Sequence, residues 1–251
     1  MNKLPQITLA FWVMKICATT LGETAGDLLS MTLNVGYAIS SMMLISVFLV
    51  TLVAQLKAKT YNPMLYWIVI LSTSTAGTTM SDFMDRTLGL GYAAGSAILI
   101  TLLLVILATW RWSEGSLSVD RVRTFKGELF YWGAILISNT LGTALGDYLA
   151  DDSGLGFAGG ALLIGGAIAV VVLAHFYTRI SAVLLFWIAF VLTRPFGATL
   201  GDVLTKSHEK GGLDFGTVGS SAVLAVVLFV LVAAATVHKN RRDNQAAIEA
   251  A

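Results

Sequence analysis

Four aspartates in this chain stand at one fixed distance from four tryptophans. Asp27, Asp82, Asp147 and Asp202 each follow a tryptophan (Trp12, Trp67, Trp132, Trp187) by fifteen residues. Carboxylates are costly in apolar segments, so four equivalent ones point to ion or proton chemistry. On a helix, the positions eight, eleven and fifteen after the tryptophan share a face. That face reads Thr20, Glu23, Asp27 in the first copy and Thr75, Thr78, Asp82 in the second. The third copy gives Thr140, Thr143, Asp147, and the fourth Pro195, Ala198, Asp202. Oxygen donors alone suit hard cations such as Mg²⁺, Ca²⁺ or Mn²⁺. The pattern therefore nominates Glu23, Asp27, Asp82, Asp147 and Asp202 as metal ligands, assisted by Thr20, Thr75 and Thr140.

Lys15 and Arg194 are the two basic residues inside the apolar spans, so five carboxylates face two positive charges. The pair reads either as internal counter-ions or as anchors for an anionic solute, with Asn139 assisting. A bound cation or protons would balance the remainder. The aspartates also fall at the negative end of outward-running helices, where a carboxylate needs compensation. Met42, Met43 and Met80 are scattered among apolar residues and read as packing. His175, His208 and His238 fall at loops or helix ends. Walker, Rossmann, HExxH and GxSxG patterns are absent, which argues against ATP-driven pumping and hydrolysis. The expectation is a non-enzyme without a resident cofactor.

The elements that must carry these residues are membrane helices. Hydrophobic residues make up 56% of the 251-residue chain and charged ones 12%, with a mean hydropathy of +0.78. Charge-free runs at 28–56, 60–81, 87–110, 153–174 and 215–237 have spanning length. A soluble enzyme is excluded, and a net charge of +1 gives no field for nucleic acid. The single cysteine, Cys17, cannot form an internal disulfide.

The tryptophans are 55, 65 and 55 residues apart, which defines four units in two halves joined at 111–128. A glycine follows each tryptophan by ten residues (Gly22, Gly77, Gly142, Gly197), and Gly26, Ser81, Gly146 and Gly201 follow by fourteen. Small residues four apart let helices approach closely in membranes. Each unit then restarts at a glycine (Gly36, Gly91, Gly156, Gly216) with a second apolar helix. The expected fold is an all-α polytopic membrane bundle of eight transmembrane helices. Its four two-helix repeats are parallel, about an axis along the membrane normal, with polar odd helices inside and apolar even helices outside. The units are read as 1–59, 60–116, 117–179 and 180–240, with a tail at 241–251. Eleven Lys and Arg on one side against three on the other put both termini in the cytoplasm.

The W-x9-G-x3-[GS]-D pattern, repeated on Trp12, Trp67, Trp132 and Trp187 over nearly the whole chain, resembles a family of bacterial membrane proteins. Its members are built from four tandem two-helix repeats of unknown function. The resemblance implies a location in the bacterial inner membrane and brings no activity. More loosely, Glu23-Thr24-Ala25-Gly26-Asp27 is similar to the E-x-G-D motif of two-repeat Mn²⁺ or Ca²⁺ exporters, one residue longer and confined to the first unit. The residues thus point to a proton-coupled transporter or exporter of a hard, Mn-like cation, with membrane lipids and a small ion as partners. Transport of a small organic solute and a non-transporting scaffold or sensor are the alternatives. The ion, the direction and the oligomeric state are left open.

Overall fold

The computed structural model describes residues 3–249, among which there are eight long helices and no strand. They are α1 (Leu9–Asp27), α2 (Tyr37–Lys57), α3 (Pro63–Asp82), α4 (Tyr92–Glu114), α5 (Phe125–Asp147), α6 (Gly156–Tyr177), α7 (Ala182–Thr205) and α8 (Thr217–Glu249). The last two residues of the tail read at 241–251 lie outside the described residues.

Local chemistry sets the helix starts. Thr8 and Thr124 accept from the Phe11 and Gly127 N–H groups as N-caps, and Asn62 caps α3 just ahead of Pro63. Gly36, Gly91, Gly156 and Gly216 have left-handed backbones, with φ of 67 to 81°. A side chain is disfavoured in that conformation, although nothing lies within 4 Å of where a Cβ would sit. These four glycines therefore serve the turn. The packing expected of them falls to the buried small residue four positions on, Ser40, Gly95, Gly160 or Ser220.

Helices α1, α3, α5 and α7 form a closed ring, with α7 packing back on α1. Each even helix lies on the odd helix of the next unit: α2 on α3, α4 on α5, α6 on α7 and α8 on α1. The sequence repeat is thus not a packing unit, and the circle closes only when the last helix meets the first. The glycine ten residues after each tryptophan sits at each of the four ring interfaces. Gly22 faces Ser74, Gly77 faces Asn139, Gly142 faces Arg194 and Gly197 faces Thr19. Each partner stands seven residues after the next unit's tryptophan. Because equivalent positions meet around the circle, the four odd helices run parallel.

One end of the ring is aromatic by the same rule. The residue before each tryptophan packs on the next unit's tryptophan: Phe11 on Trp67, Tyr66 on Trp132, Tyr131 on Trp187 and Phe186 on Trp12. Tyr66 and Tyr131 share a 2.6 Å hydrogen bond between their hydroxyls.

Apolar side chains cover the outside of α2, α4, α6 and α8, as Val50, Leu104, Leu162 and Val223 illustrate. These four helices and α7 are long and apolar enough to cross a membrane. Helices α1, α3 and α5 carry the Ser, Thr and carboxylate side chains buried in the ring, which lowers their hydropathy. A contiguous apolar exterior around a polar interior belongs to a protein solvated by lipid.

Candidate functional site

The aspartates form the end of the ring opposite the tryptophans. Asp27, Asp82 and Asp147 are the last residues of α1, α3 and α5, Asp202 stands near the end of α7, and all four are buried. In the first three units a π-helical turn follows directly, at Leu28–Thr32, Phe83–Thr87 and Tyr148–Asp152. A carboxylate at a helix C-terminus meets the negative end of the macrodipole and requires a cation.

Arg86 and Lys206 supply those cations. Arg86 Nε lies 2.9 Å from Asp82 and its Nη2 3.2 Å from Asp147. Lys206 Nζ lies 3.1 Å from Asp202 and 2.8 Å from Asp27. Both stand nineteen residues after their tryptophan, so each sits one helical turn beyond its own aspartate and reaches one neighbour. Sequence reading assigns them to outer loops and counts only Lys15 and Arg194 inside. The count of five carboxylates against two cations is thereby corrected, and the i,i+4 spacing is the signal that reveals it.

Two turns deeper, Arg194 lies inside the ring with no exposed surface. Its Nη1 bonds Glu23 Oε2 at 2.9 Å, and its Nη2 lies 2.6 Å from Thr78 Oγ1 and 2.7 Å from Thr143 Oγ1. Both threonines reach the same Glu23 oxygen, at 3.2 and 3.1 Å. The four residues come from four different units, so this knot joins the whole ring. Arg194 Nε has no hydrogen-bond partner among the described residues.

Lys15 is buried one turn further down. Its ammonium donates to Asn139 Oδ1 at 3.3 Å and lies 4.1 Å from the centre of the Phe190 ring, and Asn139 in turn donates to Thr73. It forms no ion pair among the described residues, because no carboxylate shares its level. Of the two counter-ions expected, only Arg194 is paired with a carboxylate.

Thr20, Thr75 and Thr140 make no hydrogen bond to a carboxylate among the described residues. Each donates to a carbonyl one turn back in its own helix, Ile16, Leu71 and Leu136 respectively. The side chains seven and eleven positions after the tryptophan fill the interior instead, since they fit onto the preceding unit's glycines. Asp85 is a further buried carboxylate that the repeat pattern does not flag. It accepts from Ser81 at 3.2 Å, and its other oxygen faces Gly95 without a hydrogen-bond partner among the described residues. It lies in the π-helical turn of the second unit, where α-helical periodicity no longer indicates direction.

The constellation that can hold an ion is therefore narrower than the expected ligand set. Carboxylate oxygens of Glu23, Asp147 and Asp202, all buried and from three units, lie within 4.8 Å of one another. Asp27 and Asp82 face the same ring through the bridging cations. Arg86, Arg194 and Lys206 are the cations paired with these five carboxylates.

Four stretches of the chain, residues 10–61, 65–116, 130–181 and 185–240, match the model of one family, described as Repeat of Unknown Function (DUF347). No curated protein and no solved structure matches the chain.

Proposed function

The chain belongs to the DUF347 repeat family, and on that premise we propose that it is a secondary transporter or exporter of a hard multivalent cation, Mn²⁺-like and coupled to protons. We place it in a bacterial inner membrane with both termini in the cytoplasm, on the distribution of Lys and Arg. The observation that carries the reading is the convergence of Glu23, Asp147 and Asp202 oxygens within 4.8 Å in a buried setting. Metal–oxygen distances of about 2.3–2.6 Å let one ion reach oxygens up to roughly 5 Å apart. The donors are all oxygen, which favours a hard ion over Cu or Zn. Carboxylates must lose their protons to ligate it, so metal binding releases protons and supplies the coupling.

The solute alternative draws less support, because the guanidinium of Arg194 is already held by Glu23, Thr78 and Thr143. The scaffold alternative has one observation in its favour: Arg194 lies buried inside the ring, where a passage would have to run.

The test is the melting temperature of the purified protein in detergent against Mn²⁺, Ca²⁺, Mg²⁺, Zn²⁺ and Na⁺. A ligand at 100 times its Kd stabilises the folded state by about 2.7 kcal/mol. Selective stabilisation that disappears in Glu23→Gln and Asp147→Asn, together with uptake of the same ion by proteoliposomes, is the expected result. A folded, monodisperse sample indifferent to every ion would leave the scaffold reading in its place.

A further inference from the structure

The four ring interfaces are packed alike but tied differently. Each uses the same glycine seat. At the aspartate level, however, cations bridge only two of them. Arg86 joins the second unit to the third through Asp147, and Lys206 joins the fourth to the first through Asp27. These two interfaces are the seam between the first half (units one and two) and the second half (units three and four). Other polar contacts follow the same seam. Tyr92 donates to Asp151 at 3.4 Å, and the Thr32 and Thr217 hydroxyls are 2.7 Å apart. No ion pair among the described residues joins units one and two or units three and four at this level.

We infer that Arg86 and Lys206 form a two-point latch that holds the halves together at the aspartate end, and that a cation entering the carboxylate ring releases it. The inference rests on the cation-transport reading for its ligand, but the latch itself rests on geometry alone. Asp147 belongs both to the triad that converges on an ion and to the Arg86 bridge. Asp202 belongs both to the triad and to Lys206. An ion on the triad therefore draws on the carboxylates that hold both bridging cations. Arg86 and Lys206 are the ion's competitors at this level, and their release unties the aspartate end of the seam, above the Arg194–Glu23 pair.

The opposite end is the fixed one. Its closure consists of buried aromatic rings and the Lys3–Glu128 pair at 2.8 Å. At the latch, Arg86 is 33% exposed and Lys206 21%. Partly hydrated ion pairs separate more readily than a packed aromatic belt, so the seam opens from the aspartate end.

The test measures distances between spin labels in a Cys17→Ala background. Leu33, Leu88 and Ser153 are exposed residues at one equivalent position, twenty-one after each tryptophan. The pair Leu88/Ser153 spans the seam, and Leu33/Leu88 lies within one half. Arg86→Gln with Lys206→Gln should lengthen or split the Leu88/Ser153 distance without added ion and leave Leu33/Leu88 unchanged. Ca²⁺, which is diamagnetic, should do the same to the otherwise native protein, and Arg86→Lys with Lys206→Arg should keep the seam closed. If the double variant does not fold, Arg86→Gln alone still removes the bridge beside the labelled seam. An unchanged Leu88/Ser153 distance in the glutamine variants, or equal changes in both pairs, overturns the latch. A seam that opens in the variants, while no ion of the melting panel stabilises the native protein and Ca²⁺ does not open it, upholds the latch and removes the cation-transport reading.

Discussion

The two ends of the ring are built from the same four repeats and close it by opposite means. At the tryptophan end, all four units contribute an aromatic residue followed by tryptophan, and each pair packs on the next by one rule. At the aspartate end the four carboxylates repeat, but their cations do not. The position nineteen after the tryptophan holds Met31, Arg86, Asp151 and Lys206 in turn. Repetition thus supplies a rigid frame with pseudo-fourfold packing. Departure from repetition lowers the symmetry to two halves and concentrates the charge. In this molecule the chemistry lies where the units differ: Glu23 and Arg194, which form the central knot, each occur in one unit only.

The comparison can be broken most severely at that knot. Arg194→Met leaves Glu23 buried without its cation, and removing one partner of a buried pair costs about 3–5 kcal/mol. Thermal unfolding in detergent should register that loss, and the double variant Arg194→Met with Glu23→Met should recover most of it. If the single variant is as stable as the parent, the knot does not hold the ring.

A smaller effect tests the frame. Gly77→Ala places a Cβ 2.9 Å from the carbonyl carbon of Asn139, a backbone atom that cannot swing away. Overpacking of this kind costs about 1–3 kcal/mol. Gly91→Ala, where no neighbour lies within 4 Å, should act only through its left-handed backbone. Helix separation in Gly77→Ala but not in Gly91→Ala would distinguish seat from turn. The smallest change contrasts the ends directly. Tyr66→Phe removes one buried hydrogen bond at the tryptophan end, for a loss of about 0.5–1.5 kcal/mol in the same melting assay. It should leave cation-dependent stabilisation intact, whereas Asp147→Asn should abolish it.

Much of this arrangement is legible in the chain before any coordinates. The tryptophan, glycine and aspartate spacings announce four units, an even number of helices in each, and a polar inner set. They also mark Glu23, Asp147 and Asp202 as ligand candidates. The threonines eight residues after the tryptophan are not hydrogen-bonded to the carboxylates among the described residues. They share a helical face with the aspartates, but a threonine in an apolar helix can bond its own preceding turn, and Thr20, Thr75 and Thr140 do so. Arg86 and Lys206 are misplaced by the opposite error. Counting charges by loop ignores that a side chain one turn past a helix end reaches back over it.

Composition and spacing by themselves determine what repeats: the helical periodicity, the lipid-facing exterior, the glycine seats and the level at which four carboxylates meet. These follow from chain-local rules, namely the 3.6-residue turn, the span of a bilayer and the freedom of glycine at a turn. Tertiary structure alone decides which unit touches which. It places each even helix on the following unit, sets Arg194 of the last unit against Glu23 of the first, and gives each bridging cation its second aspartate. The physical reason is closure. A ring contact between residues 171 positions apart depends on the accumulated geometry of every interface between them, and no local spacing encodes that sum.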